Sequence, residues 1–173
     1  MTWVAIPVSP EKVTPEMLYD LAHKHRLVSE NTPLAIDNCH YMARGSVVIK
    51  VVDEESEAEI ATVVISDIVD GEEATVDFIP VGKHFSPIGK DGNPNNEPFL
   101  EKTEAALGGI FRKLIVGRGL RRLNATVPAS RSRTCKALRE CGFRKEGIKY
   151  DGIRLKGGGL ENLVMMGMLA DKE

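Results

Sequence analysis

The chain has 173 residues, 42% of them hydrophobic and 28% charged, with a formal net charge of −2. Those values describe one soluble globular domain large enough to bury a core, and no apolar run reaches the roughly 18 residues that a membrane span needs. The segment Met1–Pro7 lacks the basic-then-apolar order of a signal peptide, and Cys39, Cys135 and Cys141 have no metal-like spacing. Free thiols in a reducing, cytoplasmic compartment are expected.

The charge is unevenly spread. Residues 101–156 carry 15 Lys/Arg against 5 Asp/Glu, while the remainder is strongly acidic. A basic half points to an anionic ligand or an acidic surface. Nucleic acid is the weaker partner class, because only 5% of the chain is aromatic and base stacking has few candidates.

Trp3–Val8 reads as a first strand. Ser9-Pro10-Glu11 and Thr14-Pro15-Glu16 read as helix starts, with Pro at the first helical position. The helix from Pro15 to His25 sets Met17, Leu18, Leu21 and Ala22 on one face; His23 and His25 read as surface or capping residues. Residues 27–45 hold a turn at Asn31-Thr32-Pro33 and a short helical candidate, Asp37–Met42, containing His40 and Tyr41. Three strands follow, Ser46–Val52, Glu59–Asp67 and Glu73–Val81, joined by short acidic turns, which is the pattern of an antiparallel meander.

Residues 82–98 are loop by composition, and a loop of that length inside a compact domain draws attention to function. Asn95 or Asn96 can cap the next helix, which carries Phe99, Thr103, Ala106, Leu107, Ile110, Phe111, Leu114 and Ile115 as one stripe. Gly108-Gly109 in its middle costs roughly 1 kcal/mol per glycine and signals a close approach. Leu123–Val127 alternates as a strand and Pro128 ends it. Ser130 reads as the N-cap of a helix that stops at Gly142-Phe143. Ile148–Leu155, broken at Gly152, and Leu160–Leu169 are the final two strands.

The run Leu123–Phe143, followed by Arg144-Lys145-Glu146-Gly147, resembles the GCN5-related N-acetyltransferases, and within them the branch that modifies ribosomal-protein N-termini. That family has a strand, then Asn-x-x-Ser/Ala, then a helix ending Gly-Phe before a basic residue and Glu-Gly. Here Arg131 stands at the Asn position and Thr134 at the Ser/Ala position. The match covers roughly residues 46–169. It implies a single domain over 1–173, with residues 1–45 as an N-terminal strand and helices, and an α/β (α+β) fold. Its sheet is mixed but mostly antiparallel, flanked by helices, with one splayed strand pair.

The resemblance also implies a chemistry. Acetyl-CoA would enter where Glu73–Val81 and Leu123–Val127 part, its pantetheine arm held by the backbone of Ile79, Pro80 and Val81. The family's pyrophosphate loop, Arg/Gln-x-x-Gly-x-Gly/Ala, is absent; Gly89, Lys90 and Gly92 form a remote echo of it, and Lys90, Arg131 or Arg133 would neutralise phosphates. A carboxylate near the attacking nitrogen removes its proton. Glu73 or Asp77, which share a strand face, would serve as that base. The Tyr that protonates the leaving thiolate in many members is Leu138 here, so no general acid is identified. The acceptor would be an amine, either a protein N-terminus or a small molecule. The alternative is a GCN5-related fold without catalysis, serving as a structural or assembly protein such as a bacteriophage virion protein, with homo-oligomers or virion proteins as partners.

Overall fold

The computed structural model describes residues 2–24, 45–81, 85, 99–154 and 159–171. Expectations placed on His25, residues 27–44, Gly89, Lys90, Gly92, Asn95 and Asn96 lie outside these residues. One seven-stranded sheet organises the rest, in the order β1-β2-β3-β4-β5-β7-β6. The strands are β1 (Trp3–Pro7), β2 (Val47–Asp53), β3 (Glu59–Val69), β4 (Glu73–Pro80), β5 (Arg122–Pro128), β6 (Arg144–Arg154) and β7 (Leu160–Leu169).

β2 to β4 form the expected antiparallel meander, and β1 extends it by pairing antiparallel with β2. Its acidic turn is a cap, because Asp53 Oδ1 accepts the backbone N–H groups of Glu55 and Ser56. Those donors hold the Asp53 carboxyl below its ordinary pKa. β4 and β5 pair in parallel. A parallel pair needs a crossover, and the helix α2 across 100–118 supplies it.

α2 is α-helical over Leu100–Thr103, widens to a π-helix over Glu104–Gly108, and resumes over Gly109–Arg118. Gly108 lies in the widened turn, where an added Cβ would meet the Glu104 carboxylate 2.8 Å away. The predicted stripe is the buried face, with Phe99, Ala106, Leu107, Phe111 and Ile115 in the core. Each fully buried side chain of this kind is worth roughly 1.5–3 kcal/mol.

α1 (Pro15–Lys24) covers the opposite side of the sheet, where Leu18 and Val13 pack on Val48, Val64 and Ile79. α3 (Ser132–Glu140) joins α2 on the first side through Ala137 and Leu138. Its C-terminus behaves as the sequence predicts. Gly142 takes φ 114°, its N–H bonds to the Arg139 carbonyl, and the Phe143 N–H bonds to the Leu138 carbonyl. Phe143 then meets Phe111 edge-on at 5.5 Å.

Its N-terminus differs from the prediction. Arg131, not Ser130, is the N-cap residue, and it makes no side-chain capping bond. Pro128–Arg131 first closes a turn, with the Arg131 N–H on the Pro128 carbonyl, and that delays the helix. β6 begins at Arg144, four residues before the predicted start, and its ladder shifts between Lys149 and Ile153. Gly152 is needed in that bulge, where a Cβ would stand 2.9 Å from Leu163.

Candidate functional site

The β4–β5 ladder runs only from Glu73↔Arg122 to Val76↔Ala125. Both strands continue beyond it, β4 bonded to β3 as far as Pro80 and β5 bonded to β7 as far as Pro128. Two strands held by different neighbours therefore part, leaving a wedge-shaped gap. The Val81 N–H donates to the Ile60 carbonyl and the Ala129 N–H to the Asn162 carbonyl. Peptide groups alternate in direction along a strand. Phe78 therefore turns its N–H and C=O into the gap and Thr126 its C=O, the Thr126 N–H closing the last rung on the Val76 carbonyl, while Pro80 and Pro128 turn only a carbonyl there. Proline has no N–H to give, so neither arm can resume the ladder at its tip.

The predicted site residues divide around this gap. Ile79 is buried against α1, and Pro80 and Val81 are half-buried at the end of the β4 arm. Glu73 and Asp77 share the α1-facing side of β4 but not an environment. Glu73 sits where the ladder is intact, and its carboxylate accepts the Asn124 side-chain N–H at 2.9 Å. Arg122 donates to Asn124 and pairs with Glu146, completing a polar chain across the sheet. Asp77 follows the last paired residue. It is half-buried, makes no ion pair with any described residue, and its pKa is pushed up to about 6, first by burial and then by the negative charge of Asp67.

The basic candidates lie on the other arm. Arg131 is half-buried at the head of α3. Burial pulls its pKa below the ordinary guanidinium value, and Glu161 opposes that pull. Glu161 also accepts the Ser130 backbone N–H. Arg133 is buried, with its guanidinium 3.7 Å over the Phe99 ring. Phe99 touches Phe85 at 5.4 Å, and Phe85 touches Phe78 at 5.0 Å. A continuous aromatic row thus joins the β4 arm to the first turn of α3.

Sequence reasoning missed two residues here. Phe85 lies in a stretch whose composition says only loop, yet its own ring is buried in the core. Thr134 stands in the first turn of α3, fully buried, with its hydroxyl lacking a hydrogen-bond partner. Among the described residues that hydroxyl has no partner, and such a group is costly to leave unpaired. Its signal was its place at the family's Ser/Ala position. Leu138, one turn later, is wholly inside the core and offers no proton.

Both described thiols are held protonated by burial. Cys141 is buried and pushed up to about 12, mainly by burial, and burial also raises Cys135. Among the described residues no His/Cys/Asp/Glu cluster could hold a metal ion. No helix among them is long and apolar enough to cross a membrane. A half-open groove of about 1110 Å³ lies at the closed end of the sheet, between Val116, Leu120, Gly142 and Leu169, and contains none of the candidate residues.

No protein-family model matches this sequence, and no curated protein matches it. Solved structures do. Spermidine N-acetyltransferase from Vibrio cholerae, in complex with CoA and spermine, superposes with a TM-score of 0.64 at 14% identity, over 97% of this chain and 95% of that one. The ribosomal-protein-S5-alanine acetyltransferase of Vibrio fischeri gives 0.63 at 14% identity, over 99% and 95%. With the seven-stranded sheet and its parted β4–β5 pair, these matches show that the chain has the fold of the GCN5-related N-acetyltransferases.

Proposed function

We propose that this protein is an acetyl-CoA-dependent N-acetyltransferase that acylates a primary amine, either a protein N-terminus or a small molecule. The observation that carries this reading is the gap between β4 and β5 with Asp77 on its rim. The gap offers what an extended amide-bearing arm requires: an unpaired peptide group at Phe78, with carbonyls at Thr126, Pro80 and Pro128. Acetyl-CoA, once bound, supplies an activated acyl group on a thiol leaving group. Arg131 and Arg133 stand at the α3 end, where its phosphates need charge, and Lys90 with Gly89 and Gly92 would complete that contact.

The chain's own residues then have distinct tasks. Asp77 accepts the proton of the attacking amine. With its pKa near 6 it is ionised at neutral pH yet more basic than an ordinary aspartate, the poise that a general base needs. Glu73 is engaged by Asn124 at the closed end, so Asp77 is preferred of the two. The Phe78 N–H is a donor for the carbonyl oxygen as charge develops there. The Thr134 hydroxyl is a donor for the departing sulfur. The work is cytoplasmic in this reading, consistent with free thiols.

Isothermal titration with acetyl-CoA tests the reading. Micromolar binding that weakens at least tenfold in Arg131→Glu is expected. No heat at millimolar acetyl-CoA overturns it and favours the non-catalytic structural role.

A further inference from the structure

The groove at the closed end of the sheet takes part in no step of the chemistry above. Its walls are the C-terminal half of α2, the chain entering β5, the start of β6 and the end of β7. Two apolar side chains in it face solvent: Val116 is 82% exposed and Leu169 59% exposed, beside the buried Leu120 and Met168. Apolar surface exposed together in a concavity marks a contact site, whereas the same residues scattered singly do not. The charged part of the lining is mainly cationic. Arg112, Arg121, Arg144 and Lys145 stand there against Glu146 and Asp171. Glu146 is already paired with Arg122, which does not line the groove. Arg112 and Arg121 reach Glu104 and Glu72, but both pairs are exposed, so water weakens them. Arg144 and Lys145 are exposed and make no ion pair with any described residue. A surplus of positive charge therefore meets exposed apolar surface in one place.

We propose that this groove is a docking site for an acidic segment of a partner protein, which lays a bulky apolar side chain on Val116 and Leu169 and brings carboxylates to Arg144 and Lys145. Three observations choose this occupant. The groove, of about 1110 Å³, is half-open. A small ligand is held in a cleft that buries most of its surface, whereas a chain segment lying along a trough needs no such enclosure. No aromatic residue among the described residues lines it, so the bases of a nucleic acid have nothing to stack on. The cations surround a concavity with apolar walls, a shape that a flat lipid surface cannot follow. Charge of this kind steers encounter and fixes orientation, while apolar contact supplies the anchor. Docking here is independent of the acetyltransferase reading, because the gap opens at the other end of the β4–β5 pair.

Fluorescence anisotropy with the full chain tests it. The probe is a labelled peptide in which Asp and Glu flank a central pair of Leu residues; one control peptide replaces the acids by Lys, the other replaces the Leu pair by Ser. Saturable binding of the acidic peptide is expected, with a loss of about tenfold or more in each control. Val116→Asp, and Arg144→Glu combined with Lys145→Glu, should each weaken binding by about tenfold or more. Lys113→Glu, on α2 outside the groove, should leave it unchanged. All four positions are exposed, so circular dichroism should show the same fold in every variant. No saturable binding at millimolar peptide overturns the proposal. An equal loss in Lys113→Glu also overturns it, being the mark of diffuse charge attraction. Tighter binding of a single-stranded oligonucleotide or of anionic phospholipid vesicles, abolished by the same groove variants, overturns it by assigning the groove to that ligand class. Peptide binding is expected whether or not acetyl-CoA binds, so the two readings fail separately.

Discussion

The two ends of the β4–β5 pair treat chemically similar residues in opposite ways. At the closed end, Glu73 is exposed, bonded by Asn124, and joined through Arg122 to Glu146 in a chain that lies over Gly167. At the open end, Asp77 has no cation beside it among the described residues, lies half-buried, and holds its proton to about pH 6. The two carboxylates share a strand and a face, about 13 Å apart along it. What differs is whether the neighbouring strand is still there. An intact ladder brings partner side chains within reach and ties the carboxylate into structure. A ladder that stops withholds them and leaves a group able to exchange protons.

The largest expected effect is on Asp77 itself. Asp77→Asn should lower kcat by about 10²–10⁴-fold, while Glu73→Gln changes it by less than threefold in a steady-state assay with an amine acceptor. Equal losses would erase the contrast between the two ends. Stability should move in the other direction. A folded-state value near 6 against 3.8 unfolded means that the folded chain binds this proton more tightly. Stability from Asp77 is therefore present below about pH 4 and lost as pH rises to about 6. Urea unfolding at pH 4 and pH 7 should show that decline in the parent and a flatter profile in Asp77→Asn.

A middle-sized effect is expected from Thr134→Val, which keeps the shape and removes the unpartnered hydroxyl. It should raise stability by about 1 kcal/mol and lower kcat by about tenfold, with little change in acetyl-CoA affinity. Parallel melts and kinetics check it; a loss of both stability and binding would make Thr134 a packing residue only. The smallest effect belongs to Gly167→Ala at the closed end. The new Cβ displaces the ends of Glu146 and Arg122, both flexible, so a cost under about 1 kcal/mol is expected in urea melts, with kinetics unchanged.

Much of this was legible because local chemistry agreed with tertiary demand. The β-branched runs of β2 and β3, the α2 stripe and the Gly142-Phe143 stop each state their element directly. The parity of 73 and 77 put both acids on one face, and that is where they lie. What separates them was not legible, since the end of a parallel ladder depends on which strands flank each arm. Only Pro80 and Pro128 hinted at it. Ser130 misled because a turn at Pro128 competes with the cap for the same residues. The strand read as Glu59–Asp67 continues to Val69 because Asp67 and Ile68 together face Ala74 in a bulge, and a bulge leaves no mark when the residue that makes it can also end a strand. The charge asymmetry proved partly internal: Arg118 and Arg121 of the basic half pair with Asp70 and Glu72 of the acidic turn.

The contact between Phe85 and Phe99 has a consequence for how such a chain changes over time. Phe85 and Phe99 are buried in the core with their rings 5.4 Å apart, so the two positions that flank residues 86–98 in the sequence are held together by the core. Closure entropy grows only logarithmically with length, by about 0.6 kcal/mol per doubling. Residues can then be inserted, deleted or exchanged between the two rings at little cost to folding. The sequence between the two rings can drift while the sheet and the β4–β5 gap keep their places.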